Sequence, residues 1–154
     1  MIEPAIYRHT QTGSAILILL VVALVGAFIA VIATGFSATM ILAFTIAMLL
    51  LVGWLFGSLT VKIGGEAINW WFGPGFWKKG VTIDEIEACE PVRNRWWWGW
   101  GIRYYGKGWL YCVSGLQAVE VILKSGKHIR IGTDDPQGLT EALARRLAAF
   151  AQSR

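Results

Sequence analysis

The sequence predicts a membrane α-helical hairpin joined to a mainly-β bent barrel or sandwich that ends in an α-helix, and three observations predict it. No Asp, Glu, Lys or Arg occurs from Gln11 to Thr60. Apart from Glu3 and Arg8, every charged residue lies from Lys62 onward, although the chain of 154 residues is 16% charged. Beyond residue 60 the pattern changes to short alternating segments punctuated by Gly, Pro and Ser, closed by one amphipathic stretch.

The uncharged run is too long for one span, and Thr34-Gly35-Phe36-Ser37 is small and polar enough to turn the chain. Two helices are therefore expected, at about residues 15–33 and 38–59, each close to the ~20 residues that cross a ~30 Å hydrocarbon core. Inside such a core every backbone amide must be satisfied within the segment, which requires helix. A cleaved signal peptide is the competing reading of the first segment. Its apolar run exceeds the ~7–15 residues of a signal core, and a second span follows at once.

Charge sets the expected orientation. Arg8 precedes the first helix, Lys62, Lys78 and Lys79 follow the second, and the turn between them carries no basic residue. The positive-inside rule then places a multi-pass protein in a bacterial inner (cytoplasmic) membrane with both termini cytoplasmic. Cys89 and Cys112 would face a reducing compartment, where a structural disulfide is not expected. The expected division is 1–59 for the lead and hairpin and 60–154 for a cytoplasmic domain.

Eight strands are expected in that domain, at 60–63, 67–72, 78–83, 87–93, 101–105, 108–113, 118–123 and 128–131. Gly64-Gly65, Gly73-Pro74-Gly75, Gly106-Lys107, Ser114-Gly115 and Ser125-Gly126 supply the turns between them. The last hairpin tests register. A two-residue loop would set Leu123 against His128 and mix core with solvent, whereas a three-residue loop, Ser125 to Lys127, pairs Leu123 with Ile129 and Val121 with Ile131. His128 then faces solvent. The closing helix, about 136–152, is expected to start at Asp134 or Asp135 with Pro136 at its first position, and Leu139, Leu143, Leu147 and Phe150 form its apolar stripe. Arg145 and Arg146 near its end suit the helix dipole.

Gly99-Trp100-Gly101-Ile102-Arg103, then Gly108 to Gly115 (GWLYCVSG), and Ile131 to Pro136 (IGTDDP) followed by Gly138-Leu139, together with Tyr7 to Gln11, carry a resemblance. The chain resembles membrane-anchored bacterial pleckstrin-homology-like (PH-like) domain proteins, over most of its length. The resemblance implies a seven-stranded bent barrel capped by a C-terminal helix, and a tendency to self-assemble. It says little about function, because one fold hosts many roles.

The candidate site is aromatic and basic. Arg93, Arg95, Trp96, Trp97, Trp98, Trp100 and Arg103 fall in one run, and Trp70, Trp71, Trp77, Lys78 and Lys79 repeat the mixture around a Gly-Pro-Gly turn. So many rings cannot all enter the core of a ~95-residue domain, and an extended Trp96 to Trp98 would point at least one outward. Trp beside Arg and Lys is the composition of a membrane interface, where indole sits at headgroup depth and cations meet phosphate. Core filling, membrane docking and contact with a protein partner all remain open for these rings.

Other chemistries find no support in the sequence. Thirteen basic residues against nine acidic ones from Lys62 onward is too even a balance for nucleic-acid binding. Phosphate loops, paired-histidine motifs, Cys-x-x-Cys pairs and Gly-x-Ser-x-Gly elbows are absent. His9 reads as a polar anchor rather than a haem ligand, and Asp84, Glu85, Glu87 and Glu90 read as a solvated strand edge or as partners of Arg93 and Arg95. Helices free of charged residues offer no ion relay. Gly26, Ala27, Ala30, Ala33, Ala43 and Ala47 instead allow close helix packing. The expectation is a non-enzymatic module without cofactor or metal, associating with other integral membrane subunits or with itself; the alternative is a module that senses headgroups of membrane lipids, and an enzyme or cofactor-binding protein is the distant third.

Overall fold

The computed structural model describes residues 6–34 and 39–152. Two helices stand outside two β-sheets: α1 (Ser14–Thr34) and α2 (Thr39–Phe56). With 21 and 18 residues they reach about 32 Å and 27 Å at 1.5 Å per residue. Both are long and apolar enough to cross a membrane, and neither span buries any of its residues. The expected turn at Thr34 to Ser37 falls almost wholly outside the described residues. The second helix ends three residues earlier than expected, because Ser58 and Leu59 already belong to a strand.

The first sheet is a meander of β1 (Tyr7–Thr12), β2 (Ser58–Gly64), β3 (Ala67–Phe72) and β4 (Lys78–Thr82), in that order. The lead before α1 is therefore a strand, with Thr12 opposite Ser58 and Tyr7 opposite Ile63. The helices are an insertion between two neighbouring strands, so the sheet includes residues on both sides of the hairpin. The Gly13 amide donates to the Gly57 carbonyl at 2.7 Å, tying the two helix roots together.

The second sheet contains β5 (Ile86–Arg93), β6 (Gly101–Tyr104), β7 (Gly108–Cys112), β8 (Gln117–Leu123) and β9 (His128–Gly132), in the order β5-β8-β9-β7-β6. All eight expected strands are present and β1 makes nine among the described residues, against the seven implied by the family resemblance. The β7–β9 pair is parallel. At its two ends Gly108 meets His128 and Gly132 meets Cys112 so closely that an added Cβ would lie 1.8 Å from the His128 carbonyl oxygen and 2.6 Å from the Cys112 sulfur. Only glycine permits that approach.

The β8–β9 loop has three residues, as the odd-loop argument requires, but they are Lys124 to Gly126. Val121 pairs with Ile129 and Val119 with Ile131, a two-residue slip from the expected register. Parity is unchanged, so the inward and outward faces are as expected. The slip puts Gly126, at φ 77°, in the third loop position that favours left-handed backbone.

The core lies between the sheets. Leu59, Val61, Ile63, Ile68 and Phe72 face Val113, Val119, Val121 and Ile131, and Trp70 meets Tyr111 edge-on at 5.3 Å. The closing helix, α3 (Pro136–Gln152), has the expected bounds and buries Leu139, Ala142 and Leu143 against β5 and β8. Asp135 is its N-cap: Oδ1 accepts from the Gly138 amide at 2.9 Å. Arg146 reaches back to the Gly65 carbonyl, donating through Nε at 2.8 Å, and so ties α3 to the β2–β3 turn.

Candidate functional site

Strand direction brings three loops to the end of the sandwich where the helices are rooted. β3 ends opposite Leu59, so the loop from Gly73 to Trp77 lies beside the end of α2, and Phe76 packs edge-on against Trp54 at 5.7 Å. The β7–β8 loop is held there too. Ser114 exchanges a 2.7 Å hydroxyl contact with Ser14, and its carbonyl accepts from Gln11 Nε2 at 3.2 Å. The segment 94–100 follows this loop: the Asn94 amide donates to Leu116 O at 2.7 Å and Trp100 Nε1 to Gly115 O at 3.3 Å.

The first aromatic and basic segment obeys strand alternation. Ile68, Trp70 and Phe72 point inward and Trp71 outward. Trp70 is only 3% exposed, which corrects the expectation that it is a surface docking residue. Lys78 lies over the Trp71 ring at 5.5 Å. Phe76 and Trp77, 67% and 63% exposed, project from the loop, with Lys78 and Lys79 exposed behind them.

The second segment does not follow alternation. Trp96 to Trp98 form a 3-10 turn rather than a strand, so the extended-chain argument for their facing does not apply. Trp96 and Trp97 still project, at 73% and 57% exposure, in edge-on contact at 5.9 Å with Arg95 over Trp97 at 5.1 Å. Trp98 folds back onto Tyr105, with ring centroids 5.2 Å apart. Trp100 is 37% exposed, and Arg103 donates to its carbonyl at 3.3 Å.

Trp98 and Tyr105 wall a hollow of about 380 Å³ on the outer face of the second sheet, lined also by Arg93, Arg95, Lys107 and Arg130. Glu120, buried and bonded to the lining residues Arg130 and Tyr105, is the organising residue. Arg130 donates to it through Nε at 3.0 Å and Nη2 at 3.3 Å, Tyr105 through its hydroxyl, and His128 Nδ1 lies at 3.3 Å. Burial alone would raise the Glu120 pKa. Hydrogen bonds from Arg130 and Tyr105, the Arg130 charge and the contact from His128 outweigh burial and hold the carboxyl below its ordinary value. Burial, followed by the bond to Glu120 and its negative charge, pushes the Tyr105 hydroxyl well up. Arg130 also lies over both rings, 4.5 Å from Tyr105 and 5.1 Å from Trp98. Arg93, Arg95 and Lys107 form no ion pair with a carboxylate among the described residues, so the expected pairing of Arg93 and Arg95 with the acidic run is not made.

Sequence reasoning missed Glu120 and Lys107. Glu120 had a signal, a lone carboxylate inside the apolar run from Ala118 to Leu123. His9 contacts Asp134, and the Tyr7 hydroxyl donates to Asp135 at 3.0 Å, so the lead is bound to the start of α3. Burial first, then Asp135, raises the Tyr7 pKa. Cys89 and Cys112 are free, and among the described residues no group of three or more His, Cys, Asp or Glu is placed to hold a metal. No protein-family model, curated protein or solved structure matches the chain.

Proposed function

We propose that the chain is a non-enzymatic, membrane-anchored PH-like module that binds anionic headgroups at the cytoplasmic surface of a bacterial inner membrane. In this reading α1 and α2 cross the bilayer, both termini are cytoplasmic, and the β domain rests on its ring-bearing end. Labelling of a cysteine placed at Ser37 from the periplasm, and not of one placed at Ser125, is the expected topology.

The observation that carries the reading is the hollow in which Arg93, Arg95 and Lys107 meet without a carboxylate of their own. Arg93 and Arg95 begin at the helix-root end, beside the exposed Trp96 and Trp97. Each basic side chain near an anionic surface is worth about 1 kcal/mol, and the hairpin supplies the proximity that makes such weak contacts effective. The test is native mass measurement of the full chain released from bilayer discs of phosphatidylcholine and phosphatidylglycerol. Retained lipid should be enriched in phosphatidylglycerol, and the triple variant Arg93→Glu, Arg95→Glu, Lys107→Glu should abolish that enrichment. Equal retention of both lipids by the unaltered chain would sink the reading.

Association with other membrane proteins or with a second copy is the second reading, and the hairpin favours it. No side chain of α2 is buried, and the space beside Gly26 on α1 is open to 4 Å. A small residue on an open helix face permits close approach of another helix.

A further inference from the structure

β4 and β6 are the last strands of their sheets, and no strand among the described residues joins them. The sandwich opens between these two edges into a cleft of about 330 Å³, lined by Phe56, Trp70, Phe72, Tyr111 and Ile102, with Trp77 and Lys79 also at the wall. Its location is informative. Phe56 is the last residue of α2 and packs on Phe72 at 5.7 Å, so the cleft begins where the apolar helix ends. Trp77 and Ile102, 63% and 47% exposed, form the rim. Apolar clefts of this size with a few placed polar groups are the usual form of small-ligand sites.

Two polar features say what would fill it. Trp70 is 97% buried, and its indole Nε1 has no hydrogen-bond partner. A buried donor left so costs free energy, and although Nε1 itself is closed to solvent, the Trp70 ring lines the cleft, from which an acceptor could reach it by a small shift of the ring. Lys79 is cross-strand from Trp70 and on the same face of its sheet as the buried Val81, yet exposed. Its apolar stem can line the wall while the ammonium stays at the rim. An occupant therefore needs a long apolar part, a neutral acceptor just above it, and a negative charge at the mouth.

We propose that this cleft takes one acyl chain of an anionic phospholipid from the surrounding leaflet, with the ester carbonyl accepting from Trp70 Nε1 and the phosphate at Lys79. The site rests on the reading that α1 and α2 cross a bilayer, and it is separate from the Arg93–Arg95–Lys107 hollow. Lipid leaves the bilayer at the end of α2 and enters between β4 and β6 without crossing a polar surface.

The experiment uses the full chain in bilayer discs of phosphatidylcholine and phosphatidylglycerol in a 4:1 ratio, in which one lipid at a time carries a photoactivatable diazirine near its chain end. Peptide mapping should find label from phosphatidylglycerol on segments containing Phe72, Trp77 or Ile102, in addition to the helices. Ile102→Trp, at an exposed rim position, should fill the cleft and cut the sheet-domain label at least fivefold with helix label unchanged. Lys79→Glu should lower sheet-domain label from phosphatidylglycerol at least threefold and leave that from phosphatidylcholine unchanged. Label confined to the helices, sheet-domain label indifferent to Ile102→Trp, or phosphatidylglycerol label indifferent to Lys79→Glu would each overturn the proposal. Charge reversal of Arg93, Arg95 and Lys107 leaves this label in place, so failure of the headgroup hollow and failure of the cleft are told apart.

Discussion

The stretches from Trp70 to Lys79 and from Arg93 to Arg103 look alike in composition, rings beside cations, and the fold uses them differently. The first is a hairpin whose alternation sends Trp70 into the core, sets Trp71 under Lys78 and leaves Phe76 and Trp77 at the tip. The second abandons strand geometry at a 3-10 turn, exposes Trp96 and Trp97, and spends Trp98 on a stack with Tyr105 and Arg130. Composition thus marks a segment as rich in rings and cations, while the assignment of each ring to core or surface comes from local backbone geometry. Rings that share a neighbour in sequence have opposite roles.

Truncation should separate the two stretches most sharply. Trp70→Ala removes a ring packed on Tyr111 and is expected to cost about 3–5 kcal/mol in unfolding free energy, whereas Trp96→Ala and Trp97→Ala should each change it by less than about 0.5 kcal/mol. Denaturant titration of the full chain in detergent checks both. Equal losses for Trp70 and Trp97 would erase the distinction.

A smaller loss is expected at Glu120. Glu120→Gln leaves the half-buried Arg130 without its counter-charge and should cost about 2 kcal/mol. The same pair sets pH dependence. The folded pKa of Glu120 lies below its unfolded value, so the native state binds fewer protons there. Its contribution is present above the ordinary carboxylate pKa, about 4.3, and is lost as pH falls through the lower folded value. Tyr105 and Tyr7 work in the opposite direction, being raised: their contribution is present below about pH 10 and is lost as pH rises through the folded values. Thermal unfolding across pH should show both limbs, and Glu120→Gln should flatten the acid one.

The mildest effect belongs to the first region. Lys78→Ala removes an exposed cation over Trp71 and should cost about 0.5–1 kcal/mol, measurable by the same titration. Lys79→Ala, which faces the cleft rather than a ring, should cost less.

Much of this arrangement was legible before the fold was known. The two apolar helices announced themselves because the run from Gln11 to Thr60 carries no charge and is long enough for two spans, and α3 because Asp135-Pro136 and a period near 3.6 mark its start and face. Trp70 was legible too, since Ile68, Trp70 and Phe72 alternate with polar or outward neighbours; weighing its composition over its parity hid it. Other features left no such mark. Tyr7 to Thr12 is almost entirely polar, and only its pairing with β2 makes it a strand. Three identical residues carry no alternation, so Trp96 to Trp98 gave no sign of a turn. The parallel β7–β9 pairing joins strands distant in sequence, and its trace is confined to Gly108 and Gly132, whose meaning depends on the neighbour each one meets.

Exposed rings of two root-end loops, in segments 73–77 and 94–100, are expected to lie against the bilayer while the buried Trp70 does not. Fluorotryptophan labelling of the full chain in bilayer discs, assigned through single Trp→Phe variants, tests it when a gadolinium-chelating headgroup lipid is added. Strong broadening of the Trp77, Trp96 and Trp97 resonances is expected, with clearly weaker broadening of the Trp70 resonance. Trp96 and Trp97 resonances as sharp as that of Trp70 would contradict it.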